Sequence, residues 1–120
     1  MADRNALVVD DLPTNRLLAT TLLRKLGWDP KEADNGEAAL VLAAQNNFSL
    51  VLLDISMPGI SGEETCTRLR EMQGDRPMCI IAYTAHAFPE ERDRFLAFGF
   101  DNILVKPINR QRLEELIADL

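Results

Sequence analysis

Apolar residues along this chain fall into short continuous blocks, and between the blocks they recur every three or four positions. Ala6-Leu7-Val8-Val9, Leu50-Val51-Leu52-Leu53 and Met78 to Tyr83 are unbroken or nearly unbroken runs. Such runs read as strands covered on both faces, the habit of a parallel sheet. Ile103-Leu104-Val105 is a shorter example. Trp28 to Ala33 is polar and contains Pro30, which confines it to a sheet edge because proline cannot donate to a central ladder.

The intervening stretches read as helices. Pro13 suits a first turn, Ala19, Leu22, Leu23 and Leu26 share one face, and Gly27 closes that helix. Asp34-Asn35-Gly36 is a turn in which Asn35 can cap a helix over about Glu37 to Gln45, with Ala39, Leu42 and Ala43 inward. After Pro58, Gly59 and Gly62 a third helix runs to about Met72 and buries Cys66 and Leu69. A fourth spans about Pro89 to Phe98, with Phe95 and Phe98 at i, i+3, and ends at Gly99. The last begins near Arg110 and lines up Leu113, Leu116, Ile117 and Leu120. Five rounds of strand then helix predict an α/β fold, a doubly wound five-stranded parallel sheet with helices on both faces. Residues 1–120 form one domain on this reading, with little room for a second.

Charge narrows the partners. A net charge of -6 argues against direct nucleic-acid binding, which wants a basic patch. No apolar stretch approaches the ~20 residues of a membrane span and no signal peptide is visible, so no membrane contact and a cytoplasmic location are expected. Cys66 and Cys79 lie in helix-like and strand-like segments and read as buried reduced thiols, in keeping with that compartment.

In a parallel sheet all strands end on one edge. The residues that end these runs are Asp10 and Asp11, Asp54, Thr84 and Lys106. Three clustered carboxylates resist ionisation unless a cation is near, and hard oxygen ligands suit Mg²⁺. Such a cation clamps phosphoryl oxygens, and a carboxylate can take a phosphoryl group as an acyl phosphate. Lys106 would offset phosphoryl charge and the Thr84 hydroxyl could bond one of its oxygens. The strand ends therefore read as a phosphoryl acceptor with Asp54 as nucleophile.

Val8-Val9-Asp10-Asp11, Asp54-Ile55-Ser56-Met57-Pro58-Gly59-Ile60-Ser61-Gly62, Thr84-Ala85 and Lys106-Pro107 occur in this order across nearly the whole chain. With these motifs the sequence closely resembles the receiver domain of two-component response regulators. The resemblance implies a flavodoxin-like (βα)5 sheet of order 2-1-3-4-5, the doubly wound order that flavodoxin shares with this family. It implies phosphorylation of Asp54 from a phosphohistidine, with Asp11, Asp54 and the Ser56 backbone carbonyl holding Mg²⁺ and Asp10 acting mainly through water. Thr84, the Ala85 N–H and Lys106 would hold the phosphoryl group, flanked by Ser56 and His86. The bond before Pro107 is often cis in the family.

Asp11-Leu12-Pro13-Thr14-Asn15-Arg16 and Thr84-Ala85-His86-Ala87 are similar to stretches common in receivers of hybrid sensor kinases. A receiver within a hybrid histidine kinase phosphorelay is therefore expected, with a sensor histidine kinase or a histidine phosphotransfer protein as partner. Such a partner would dock on the first helix, where Arg16 to Leu23 supplies apolar and basic residues, some of which must also serve the core. A stand-alone single-domain regulator, a phosphorylation-independent interaction module and a homodimer stay open. Whether the chain counts as an enzyme also stays open, since it would catalyse its own aspartyl phosphorylation and dephosphorylation. One position departs from the family: three residues before the lysine, where many receivers carry Tyr or Phe, stands Ile103.

Two other classes fit less well. A haloacid-dehalogenase-type phosphatase wants a second acid two residues after the nucleophile, where this chain has Ser56. A flavodoxin-like FMN binder wants a phosphate-cradling loop after the first strand, where Asp10-Asp11 would repel phosphate.

Overall fold

Strands and helices alternate through the chain as the apolar pattern predicts. The computed structural model describes residues 4–85 and 88–120. Its elements are β1 (Asn5–Val9), α1 (Pro13–Lys25), β2 (Asp29–Ala33), α2 (Gly36–Gln45), β3 (Leu50–Asp54), α3 (Gly62–Gln73), β4 (Cys79–Thr84), α4 (Pro89–Phe98), β5 (Asn102–Val105) and α5 (Arg110–Ile117). The strands are parallel, in the order β2-β1-β3-β4-β5. None of the described helices is long and apolar enough to cross a membrane.

Alternation of side chains along each strand divides the core into two layers. Leu7, Val9, Val51, Leu53, Ile80, Ala82 and Ile103 pack with Ala39 of α2, Cys66 and Leu69 of α3 and Phe95 of α4. Ala6, Val8, Leu50, Leu52, Ile81, Tyr83 and Leu104 pack with Ala19 and Leu23 of α1 and Leu113 and Ile117 of α5. Each fully buried Leu, Val or Phe contributes roughly 1.5–3 kcal/mol, so both layers are needed to offset chain entropy. Cys66 belongs to the first layer and Cys79 packs against the second, so the sheet separates them and both are free thiols. Burial pushes both thiols up to about 11, which keeps them protonated at neutral pH.

Local chemistry sets the element ends. Asn35 caps α2 by accepting the Ala38 N–H at 2.7 Å. Gly27, with φ +90, follows the end of α1 in a conformation that disfavours a Cβ. Boundaries differ from those expected from the sequence by one residue at β1, β2, α2, α3, β4 and β5. Phe95 is buried, but Phe98, one turn on, is 43% exposed. Gly99 turns the chain back at φ +108, and Phe100 instead meets Phe95 edge-on, with centroids 5.9 Å apart.

Arg70 of α3 ties together the end of the fold away from the acidic strand ends. Its guanidinium donates to the Gly99 carbonyl at 2.6 and 2.9 Å, to the Met78 carbonyl at 2.6 Å and to Asp101 Oδ2 at 2.6 Å. Asp101 Oδ2 also accepts the Ile80 N–H at 2.8 Å. One side chain thus joins α3, the start of β4 and the turn between α4 and β5. Arg70→Met keeps an apolar stem and removes every donor. It is expected to lower the unfolding free energy by about 2–3 kcal/mol, the cost of losing several charge-assisted bonds to half-buried acceptors. Urea unfolding measures this, and a change under about 0.5 kcal/mol, the range of an ordinary surface substitution, would contradict it.

Candidate functional site

The parallel arrangement gathers the C-terminal ends of the strands on one edge, and alternation decides which side chains meet there. Asp10 continues the face of Ala6 and Val8, Asp54 that of Leu50 and Leu52, and Lys106 that of Leu104. All three therefore project on the α1–α5 side of the sheet. Asp10 and Asp54 are 2% and 3% exposed, whereas Asp11, beyond the strand, is exposed. One carboxylate oxygen from each of Asp10, Asp11 and Asp54 lies within 4.8 Å of the other two. The Lys106 ammonium sits 3.1 Å from Asp10 Oδ2 and 3.3 Å from Asp54 Oδ2.

These distances place like charges together in a half-dry site. Burial holds the Asp54 carboxyl above its ordinary value, and the Asp10 charge adds to that. The Lys106 ammonium and the Ser56 N–H, which donates to Asp54 Oδ1 at 3.1 Å, pull the other way. Asp10 Oδ1 accepts the Leu12 N–H at 2.9 Å. Asp10 Oδ2 is buried without a hydrogen bond, and among the described residues the Lys106 ammonium is its ionic partner. A buried carboxylate oxygen left in that state, beside two further carboxylates, fits a small hard cation such as Mg²⁺.

The loops that carry these groups are fastened from outside. Arg16 of α1 donates to the Asp10 carbonyl at 2.8 Å and to Glu32 of β2 at 3.1 Å, fixing the turn after β1. Glu37 of α2 accepts the Ile60 N–H at 3.0 Å and so holds the loop after Asp54; that bond keeps its carboxyl below the ordinary value. Gly62 lets α3 start against the end of β3, since a Cβ there would lie 2.6 Å from the Asp54 carbonyl oxygen. Neither Arg16 nor Glu37 figures in the strand-end set read from the sequence. The signal for Arg16 is its place one helical turn beyond Leu12, at the end of the Asp11 to Arg16 stretch; Glu37 has none, because its partner is 23 residues away.

Of the residues singled out in the sequence, Asp10, Asp11, Asp54 and Lys106 come together, and Ser56 joins them through its amide. Thr84 ends β4 on the same edge, and its carbonyl accepts the Lys106 N–H at 2.8 Å. Ala85 follows and is exposed. His86, expected to flank the phosphoryl group, and Ala87 lie outside the described residues. The Lys106-Pro107 bond is cis. Ile103 packs inward at 5% exposure, in the layer that holds Phe95 and Phe100. A cavity of about 410 Å³ opens at the opposite edge of the sheet, beside Trp28, Phe48 and Met78, and shares no residue with the acidic cleft.

The family pattern of the response regulator receiver domain matches residues 6–118. The sensor histidine kinase GacS of Pseudomonas protegens is 39% identical over 114 residues, which cover 92% of this chain and 12% of GacS. The chain thus spans about an eighth of the length of that relative. Among solved structures, the chemotaxis protein CheY4 of Vibrio cholerae superposes with a TM-score of 0.90 at 27% identity, covering 98% of each chain. The receiver domain of the sensor histidine kinase PA1611 of Pseudomonas aeruginosa, solved with a magnesium ion coordinated in its active site cleft, superposes with a TM-score of 0.84 at 29% identity, covering 96% of this chain and 94% of that one.

The raised Asp54 carboxyl has a direct consequence for stability. A carboxyl whose folded value lies above its unfolded value stabilises the protein while protonated, and that contribution is lost as pH rises through the folded value. Asp54→Asn is therefore expected to raise the melting temperature at pH 7, without divalent cations, by about 3 °C. The gain should shrink on acidification and be gone below the ordinary carboxyl value of 3.8. Melting curves across pH measure both, and a variant less stable than wild type at pH 7 would contradict the assignment of strain to this carboxylate.

Proposed function

Because the chain belongs to the response regulator receiver domain family, whose function is to accept a phosphoryl group on an aspartate, we propose that Asp54 is the acceptor and that residues 1–120 act as one receiver domain of a two-component phosphorelay. The observation that carries this reading is the Lys106 ammonium bridging two buried strand-end carboxylates, with Asp11 in reach of both. A single ammonium among three acids leaves room for one more positive centre and for an incoming phosphoryl group.

Transfer from a phosphohistidine forms a bond between a carboxylate oxygen of Asp54 and phosphorus. The phosphorus–nitrogen bond breaks, its electron pair stays on the imidazole, and that nitrogen takes up a proton from solvent. Lys106 lies where it would meet charge on the phosphoryl oxygens. The Thr84 hydroxyl and the Ala85 N–H, at the end of β4, would bind two of those oxygens. Asp10, Asp11, Asp54 and the Ser56 carbonyl would hold Mg²⁺, which when bound neutralises charge developing on the transferring group. The Ser56 side chain, beside Asp54, would flank the product and set access for water.

The partner is proposed to be a histidine kinase or a helical histidine phosphotransfer protein docking on α1. Part of the span expected for this contact, Arg16 to Leu23, serves the core or the acidic cleft, and part of it is open. Arg16 is engaged by Asp10 and Glu32, and Ala19, Thr20 and Leu23 are buried in the core. Leu17 and Leu18 of that span, and Leu12 just before the helix, present exposed apolar surface, at 64%, 42% and 52%. Likeness to GacS supports a hybrid histidine kinase as parent, and the domain itself is proposed to work in the cytoplasm. A stand-alone regulator is the second reading, and the likeness to the chemotaxis protein CheY4 is what supports it. Onward transfer to a phosphotransfer protein, tested across a panel of such proteins and kinases, separates the two.

Acetyl phosphate with Mg²⁺ is expected to label the wild type at Asp54, and the label should fall at least about a hundredfold in Asp54→Asn, which removes the nucleophile. Mass spectrometry of the intact chain and its peptides reads this. Equal labelling of Asp54→Asn would overturn the assignment. Mg²⁺ at ten times its dissociation constant should add about 1.4 kcal/mol of stability by mass action. Asp11→Ala should lose that response, and a wild type that melts identically with and without millimolar Mg²⁺ would argue against the cation site.

A further inference from the structure

The α1–α5 face of the sheet carries one aromatic ring beneath the strand-end charges. Tyr83, the single tyrosine of the chain, shares that face with Ile81 and Leu52 and lies opposite Asp54 in the β3–β4 register. It is 3% exposed. Its ring centroid is 4.9 Å from Lys106 Nζ. The Ile108 N–H, two residues beyond Lys106, faces the phenol oxygen. The ring therefore touches the head of the lysine, and the hydroxyl meets the backbone that follows it.

Three groups surround the ammonium: Asp10 Oδ2, Asp54 Oδ2 and the Tyr83 ring. Two of them change when the site is used. Phosphorylation converts the Asp54 carboxylate into an acyl phosphate, and a cation in the acidic cleft competes for Asp10. The ring is chemically unchanged throughout. Attraction between an ammonium and a ring face grows as water is excluded, and this ring is buried.

We propose that Tyr83 is a positioning residue for Lys106, holding the ammonium over the strand edge while its carboxylate partners are exchanged for phosphoryl oxygens. The inference rests on the reading of Asp54 as phosphoacceptor. A leucine at this position would fill much of the same core space and offer no ring face. A phenylalanine would keep the face and lose only the hydroxyl.

The test compares Tyr83→Phe and Tyr83→Leu in the wild-type and Lys106→Ala backgrounds, with Tyr83→Met in place of Tyr83→Leu if the latter does not fold. The first readout needs no phosphoryl group: the ring-current shift on the Lys106 side-chain end in NMR spectra should persist in Tyr83→Phe and vanish in Tyr83→Leu. The second is affinity for beryllofluoride with Mg²⁺, together with the rate of labelling by acetyl phosphate. Tyr83→Leu should weaken both about tenfold, and Tyr83→Phe should stay within about twofold of wild type. In the Lys106→Ala background the two variants should be equal. A Tyr83→Leu protein that folds and behaves like Tyr83→Phe overturns the role, as does an undiminished loss without Lys106, which would mark a packing effect. A wild type that neither binds beryllofluoride nor is labelled overturns the phosphoacceptor reading, and this role with it, and is thereby told apart from the first two results.

Discussion

Two buried carboxylates stand side by side at the edge of this sheet because one ammonium reaches both. Asp10 leaves β1 and Asp54 leaves β3, while Lys106 follows β5, on the far side of β4. Neighbouring strands are about 4.8 Å apart, so only a long unbranched stem crosses that interval. Without the ammonium, desolvation and mutual repulsion would drive one of the acids to take up a proton. The contact at 3.1 and 3.3 Å is thus an electrostatic requirement of the fold at the edge where the proposed phosphoacceptor lies.

The arrangement depends on loops that would otherwise be free to spread. The turn after β1 carries two acids in succession and no side-chain cap for α1; Arg16 supplies the missing constraint by gripping the Asp10 carbonyl. The loop after β3 packs Ile55 and Met57 against the first core layer. Glu37 holds it at Ile60, and Gly62 seats the next helix directly on the Asp54 backbone. The acidic cleft lies at three strand ends, and residues of α1, α2 and α3 hold its loops in place.

Most of this is legible in the sequence, for reasons that can be named. Apolar runs such as Leu50 to Leu53 specify doubly covered strands, and a parallel sheet then has no freedom about where Asp54 and Lys106 emerge. Pro30 identifies its own strand as an edge. Contacts whose partners are distant in the chain are not legible. Arg16 reads as part of a docking surface because nothing local shows that Glu32 and the Asp10 carbonyl engage it. Helical spacing pairs Phe98 with Phe95, but Gly99 ends the helix and gives the inner place to Phe100. Tyr83 reads as core from its neighbours in the run. Its second contact, with Lys106, follows only once β4 and β5 are known to be adjacent.

The proline in β2 has a consequence beyond its own strand. An open sheet ends in two rows of backbone groups that could pair with another chain. The Asp29 N–H points inward to the Arg4 carbonyl at 2.7 Å, so alternation turns the position of Pro30 outward, where it offers no donor. Lys31 and Glu32 beside it are exposed and charged. At the other margin β5 has only four residues and is followed by Lys106-Pro107. Both margins are therefore poor templates for a further strand, and the same residues that finish this sheet guard it against edge-to-edge aggregation with its own copies.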